Sequence, residues 1–387
     1  MSSHFMTFVR TAIFCSATMS VLAEEPSKGG SESDHKSLSG VLVLENCDPE
    51  YKGKESYDNN LSFINSEGKL VFRLSDFNIC ESIGSNHMMA ADSQRNCFWV
   101  LENVKHQIRK FDPAGKELLT IKDIQASALA VDPETGHLWV IVSKGTINGD
   151  HIDVLDDDGK SVATYAVGGW DIAYDSKTKA FRIAGPTLAK IDAQTGKIFF
   201  NKKITAWCAS SLDVNSKSGT VWVTVRRHPD VPDSANSLLA FNNDGLLIKS
   251  VDLGEGSEAH PILPFCVSVD QRDGSVWVAL LRYGVRRYSS TGELEMQHMM
   301  WALTAQADSN SHGAWVVTSR QVVQVSSDGK DEKRHPTPKL CDAVNLNAGA
   351  GHGCVVDSER DPQQHRHAPA GSRCQSDAQR DEDQRDR

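Results

Sequence analysis

No C-x-x-C pair occurs among the nine cysteines, and no apolar run long enough to span a bilayer occurs beyond the first 23 residues. The G-x-S-x-G, H-E-x-x-H, phosphate-loop and dinucleotide motifs are also missing. These absences withdraw support from dithiol redox chemistry, a membrane span, and the common nucleophile, zincin and nucleotide chemistries. Positive charge is in short supply: 41 Lys and Arg face 51 Asp and Glu, a formal net charge of −10. Bulk electrostatics therefore argue against nucleic acid as a partner.

What is present begins with a leader pattern. Arg10 precedes a moderately apolar stretch, Thr11 to Ala23, which ends in Val21-Leu22-Ala23 before Glu24-Glu25-Pro26. This is the layout of a secretory signal at residues 1–23, and it predicts a secreted or periplasmic protein. A Ser/Gly-rich linker, 24–39, follows. Residues 358–387, rich in Gln, Arg, Asp and His, have too little apolar surface to offset ordering entropy and read as a disordered tail. Removal of Cys15 with the leader leaves an even set of cysteines in an oxidising compartment. Mostly buried thiols with one or two bridges are expected, and spacing does not give their connectivity.

Between these ends, 40–357, the chain repeats. A short strand ending in Asp or Asn recurs at Asp92, Asp132, Asp175, Asn215, Asp270, Asp308 and Asn347. Intervals near 40 residues, with one longer interval that carries an insertion at 227–236, indicate a repeat architecture rather than independent domains. Seven residues after each anchor stand Trp99, Trp139, Arg182, Trp222, Trp277, Trp315 and Cys354. The runs around the tryptophans, such as LWVIV and VWVAL, suit strands buried on both faces. Arg182 and Cys354 break the rule and predict poorer packing in their units. A second series of polar turns closes on Gly68, Gly115, Gly159, Gly196, Gly245, Gly292 and Gly329, as tight hairpins require. Asp156-Asp157-Asp158-Gly159 belongs to this series. It lacks the D-x-D-x-D-G alternation of a calcium loop and reads as a structural turn.

Each unit is thus four strands, a to d, and the predicted fold is an all-β, seven-bladed β-propeller. The first glycine turn has no anchor before it and the last anchor has no glycine turn after it. Closure of the ring by joined N- and C-terminal strands is therefore expected, with 342–347 supplying strand a of the first sheet. Either 40–44 or 354–356 could supply its strand b.

The unit from His87 to Ile121, which reads HQIRKFDPAGKEL after its tryptophan strand, resembles an NHL repeat. The strand grammar is also similar to that of SMP-30/gluconolactonase propellers and of seven-bladed streptogramin lyases. That resemblance implies metal-assisted lactone opening or elimination. The Glu-Gly-Pro opening typical of the lactonases is absent, so no catalytic residue carries over.

Function in such a ring falls to its loops. Strand-a starts and b–c loops share the channel-mouth face. Lys144, Arg227, Arg282 and Arg320 occupy one register position in the b–c loops, with Arg226 beside one of them, and form a candidate anion-binding set. Trp170, Trp207 and Trp301 precede strands a, and His87 and Phe265 share the slot of Trp170; these rings either stack on a ligand or plug the channel. Asp171, Asp213, Gln306 and Asn345 within strands a, with Asp342 at a strand start, could hold a divalent cation or bond to neighbouring backbone. Two functions follow. The first is an exported module that recognises a ligand or protein partner, with an anionic ligand suited to the basic set, and needs no cofactor. The second is a metal-assisted lactonase or lyase.

Overall fold

A computed structural model describes residues 16–19, 40–46, 59–65, 67, 69–77, 88–143, 151–204, 208–227, 235–256, 262–281, 283–300, 302–308, 311–318, 321–330 and 332–336. These residues form seven four-stranded antiparallel sheets, each following chain order from inner to outer strand. The architecture is a seven-bladed β-propeller.

Strand b is the most deeply buried strand of a blade. Cys97–Glu102, Leu138–Val142, Ala180–Ala184, Val276–Leu281 and Gly313–Thr318 are buried along their whole length, because neighbouring blades cover both faces. Trp99, Trp139, Trp222, Trp277 and Trp315 are the largest apolar side chains sealed in these layers. Outer strands such as Ser161–Tyr165 and Leu247–Asp252 have one covered face and one wet face, so their burial is partial.

The glycine hairpins serve the seams between blades. Gly159 has φ +78°, and a Cβ there would lie 2.6 Å from Ile121 on the outer strand of the preceding blade. Gly245 has φ +70° and repeats the arrangement against Phe200 at 2.6 Å. Glycine is needed for the left-handed backbone and for the close approach of the next blade. In the acidic turn, the Asp156 carboxylate accepts the amides of Asp158 (3.0 Å) and Lys160 (2.8 Å), and Asp157 pairs with Lys110. That aspartate run is thus a hairpin cap.

In the place held elsewhere by tryptophan, Arg182 is enclosed with its charge met, although its Nε has no hydrogen-bond partner. It is fully buried, stands 2.8 Å from Asp175, and donates to the side-chain oxygen of Asn243 (2.6 Å) and to its backbone carbonyl (3.1 Å). Burial pulls the guanidinium below its ordinary pKa, opposed by Asp175. The adjacent Phe181 stacks on Trp139 of the preceding blade at 4.1 Å, so apolar continuity is kept beside the ion pair. Cys354 lies outside the described residues.

The first sheet departs from the expected sharing between chain ends. Its four strands are Ser16–Met19, Gly40–Asn46, Asn59–Asn65 and Leu70–Phe77, with Thr18 opposite Val41. Its inner strand comes from within the stretch that reads as a leader, and 40–46 takes the strand-b place. Val41, Leu42 and Val43 are fully buried and need a covering strand. Residues 342–347, 354–356, the linker and the tail lie outside the described residues. Among the described residues the ring is joined by packing. Val41, Val43 and Ile64 of blade one meet Trp315, Val317 and Val322 of blade seven, and Lys333 of blade seven donates to the Glu67 carbonyl at 2.8 Å.

Candidate metal centre

The polar residues of the inner strands are largely consumed by the fold. Asp171 is fully buried; one carboxylate oxygen accepts the Leu212 amide of the next blade at 2.8 Å. Asp213 accepts the Val269 amide of the blade after that at 2.7 Å. Ser268 then accepts the Ala307 amide at 3.0 Å and the Gln306 side-chain amide at 2.9 Å. These bonds lock successive inner strands together: Asp171 and Asp213 bond neighbouring backbone, and Gln306 bonds the Ser268 side chain. Asn345 and Asp342 lie outside the described residues.

On the channel-mouth face, Arg227 follows strand b of blade five, Thr220–Arg226. Its guanidinium stands 2.7 Å from Glu255, with both side chains about half exposed, so its charge is already engaged. Pairs of this kind contribute little net stability. Beside it, Arg226 donates to the Pro264 carbonyl at 3.1 Å and lies 4.2 Å from the Phe265 ring centroid. Trp170 is half-buried just ahead of strand a of blade four, and its amide donates to the Ala184 carbonyl at 2.7 Å. Lys144, Arg282, Arg320, Trp301, Trp207 and His87 lie outside the described residues.

The opposite face holds a different grouping. In an antiparallel a-b-c-d sheet the a–b and c–d turns share one face, and the b–c loops occupy the other. Asp270 closes strand a of blade six, Asp273 sits in its a–b turn, and His312 sits in the a–b turn of blade seven. One ligand-type atom from each lies within 4.8 Å of the other two, the one such group of three among the described residues. Asp270 is wholly buried, whereas His312 is 50% and Asp273 38% exposed, so the group opens to solvent on one side.

Local chemistry holds the group in place. The Asp270 carboxylate accepts the Arg272 amide at 2.9 Å, and Asp273 accepts the Ser275 amide at 2.8 Å. His312 Nδ1 stands 3.4 Å from Asp270 Oδ2, and Arg287 stands 2.7 Å from Asp273. Burial works to raise the Asp273 pKa. Hydrogen bonds from Ser275, with the charges of Arg287 and His312, outweigh it and keep the carboxyl below its ordinary value. Asp273 is therefore ionised at neutral pH, and two carboxylates with an imidazole form a donor set that can hold a divalent cation. Sequence reading used Asp270 only as a strand anchor and passed over Asp273 and His312. The available signal for Asp273 was its place three residues after the anchor; His312, four residues after Asp308, had no such register.

Comparison with known proteins came out as fold likeness alone. No family model matches the chain, and no curated protein matches it. Among solved structures, a streptogramin B lyase is similar at a TM-score of 0.51 and 16% identity, over 67% of this chain and 86% of the lyase. Virginiamycin B lyase from Staphylococcus aureus gives 0.51 and 13%, over 67% and 87%. Kuenenia stuttgartiensis hydrazine synthase gives 0.53 and 12%, over 73% and 92%. At these identities the chain shares with them a propeller fold, and it resembles the streptogramin-lyase type in architecture.

Proposed function

We propose that this chain is a cation-assisted propeller enzyme that opens a lactone with water or carries out an elimination. The observation that carries the reading is the convergence of Asp270, Asp273 and His312 with one open side. A bound divalent cation would supply Lewis acidity toward a carbonyl oxygen or a more acidic bound water. The chain's own part is positioning: the Arg272 and Ser275 amides orient the two carboxylates, and half-exposed His312 borders the solvent side. The lyase-like architecture supports the same reaction class without assigning residues. Metal analysis of purified protein, then turnover of a lactone and elimination panel by wild type and Asp270→Asn with and without chelator, tests it. Activity should need the ion and fall in the variant. Ion binding without turnover across the panel would end the enzyme reading.

A second reading is a recognition module working through its channel-mouth face. Arg226 stacked on Phe265 beside the Arg227–Glu255 pair favours it, because this corner offers a planar cation next to an aromatic ring. The remaining basic and aromatic positions, Lys144, Arg282, Arg320, Trp170, Trp301 and His87, would complete that surface. Salt-sensitive binding of an acidic sugar or peptide, weakened by Arg227→Ala, would support it; binding unaffected by salt and by that substitution would not.

A further inference from the structure

The aspartate-anchored a–b turns share a capping habit, and blade six breaks it. Asp92, Asp132, Asp175 and Asp308 each give one carboxylate oxygen to a donor side chain three residues on, whereas in blade five the anchor is Asn215 and the Ser218 hydroxyl goes to Thr220 instead. Asp92 accepts the Gln94 amide at 3.1 Å and the Arg95 guanidinium at 3.1 Å. Asp132 accepts the Glu134 amide at 2.9 Å and the Thr135 hydroxyl at 2.7 Å. Asp175 accepts the Thr178 hydroxyl at 2.7 Å, and Asp308 accepts the Ser311 hydroxyl at 2.7 Å. In blade six the amide contact two residues on survives, with the Arg272 amide on Asp270 at 2.9 Å. The residue three places on is Asp273, whose side chain carries no hydroxyl donor and instead accepts from the Ser275 amide and Arg287.

Asp270 Oδ2 is consequently buried with no hydrogen-bond partner, in the position where Asp92, Asp132, Asp175 and Asp308 each receive a side-chain donor. A buried, charged, unpartnered oxygen is costly unless something positive completes it. Facing it are the Asp273 carboxylate and the His312 ring, which reaches across from blade seven. The 3.4 Å between His312 Nδ1 and Asp270 Oδ2 is long for a charge-assisted hydrogen bond. It matches the roughly 3.4 Å edge between two ligands that each stand about 2.1 Å from a tetrahedral ion. Arg272 and Arg287 are the nearby cations. Arg272 Nε is 3.8 Å from the other oxygen of Asp270, and Arg287 bonds to Asp273 and Glu295, so neither caps Oδ2.

We infer that a first-row divalent cation of the zinc or manganese class binds Asp270, Asp273 and His312 in place of the side-chain donor used by the other aspartate-anchored turns, and staples blade six to blade seven. This rests on the cation reading of the triad proposed above and adds the ion's class and its structural task. The imidazole ligand selects against calcium and magnesium, which prefer all-oxygen shells.

The test uses the full chain, stripped of metal and titrated with Zn²⁺, Mn²⁺ and Ca²⁺ by calorimetry, with melting followed in parallel. Wild type should bind Zn²⁺ or Mn²⁺ at one site, at least tenfold more tightly than Ca²⁺, and gain about 4 °C in melting temperature at a hundredfold excess over Kd. Asp273→Thr recreates the cap of Asp132 and Asp175. It should lose at least 100-fold in affinity while the metal-free protein melts no lower than metal-free wild type. His312→Asn keeps a side chain suited to the left-handed backbone there (φ 59°) and should lose affinity similarly. Undiminished affinity in either variant, equal affinity for Ca²⁺, or a lowered metal-free melting temperature in Asp273→Thr would overturn the inference. Binding as described without catalysis would leave it standing and remove only the enzyme reading.

Discussion

Asp171→Ala should unlock the seam between blades four and five. The native carboxylate accepts the buried Leu212 amide at 2.8 Å, a charge-assisted bond inside a sealed layer. Its loss forfeits about 1.5–3 kcal/mol, and stranding the amide away from water brings the total to about 2–4 kcal/mol. For a propeller of this size one kcal/mol corresponds to about 2 °C, so melting should fall by about 4–8 °C. Asp171→Asn keeps an acceptor oxygen of the same shape and should recover at least half of that loss. Asp213→Ala, which strands the Val269 amide, should behave like Asp171→Ala. Thermal melting of metal-free protein, backed by urea titration with an unchanged m-value, measures the effect. The contrary result is specific: if Asp171→Ala melts like wild type yet loses cation binding, Asp171 is a ligand and the inner-strand lock is wrong.

Gly284→Ala should be severe, because the added Cβ would sit 2.0 Å from the His298 backbone carbonyl at φ +88°, and a loss above about 3 kcal/mol is expected. Gly219→Ala has a similar φ, +79°, but its nearest neighbour is 3.6 Å away, so only about 1 kcal/mol should go; equal melting temperatures for the two variants would refute the argument from close approach. Cys97 and Cys266 are free and buried, and burial pushes both thiols up to about 11. With roughly one thiol in a thousand ionised at pH 8, iodoacetamide should label them only as the protein unfolds, and fast labelling of either in the folded state, read by mass spectrometry, would contradict the burial. Because an unfolded thiol ionises from about 9 upward and these do not, both should also make the fold less stable as pH rises from about 9 to 11.

The amino-acid sequence alone carries the strand repeat and its count. An Asp or Asn anchor, a tryptophan seven residues on and a later glycine turn are local demands: a capped turn, a doubly covered strand and a left-handed hairpin. Each blade must meet those demands within its own 40 or so residues, so repetition makes them visible. Interactions between blades leave no such trace. Arg182 looks like a defect until Asn243, 61 residues away, is brought against it. Asp171 and Asp213 look like ligands until the next inner strand presents an amide to each. His312 meets Asp270 only because the ring sets the turns of blades six and seven side by side. The first sheet's inner strand, Ser16–Met19, follows no repeat spacing, because covering a buried edge requires backbone hydrogen bonds and places little demand on sequence. Tertiary structure alone decides those contacts, since partners on separate blades are matched by curvature and packing rather than by any spacing along the chain.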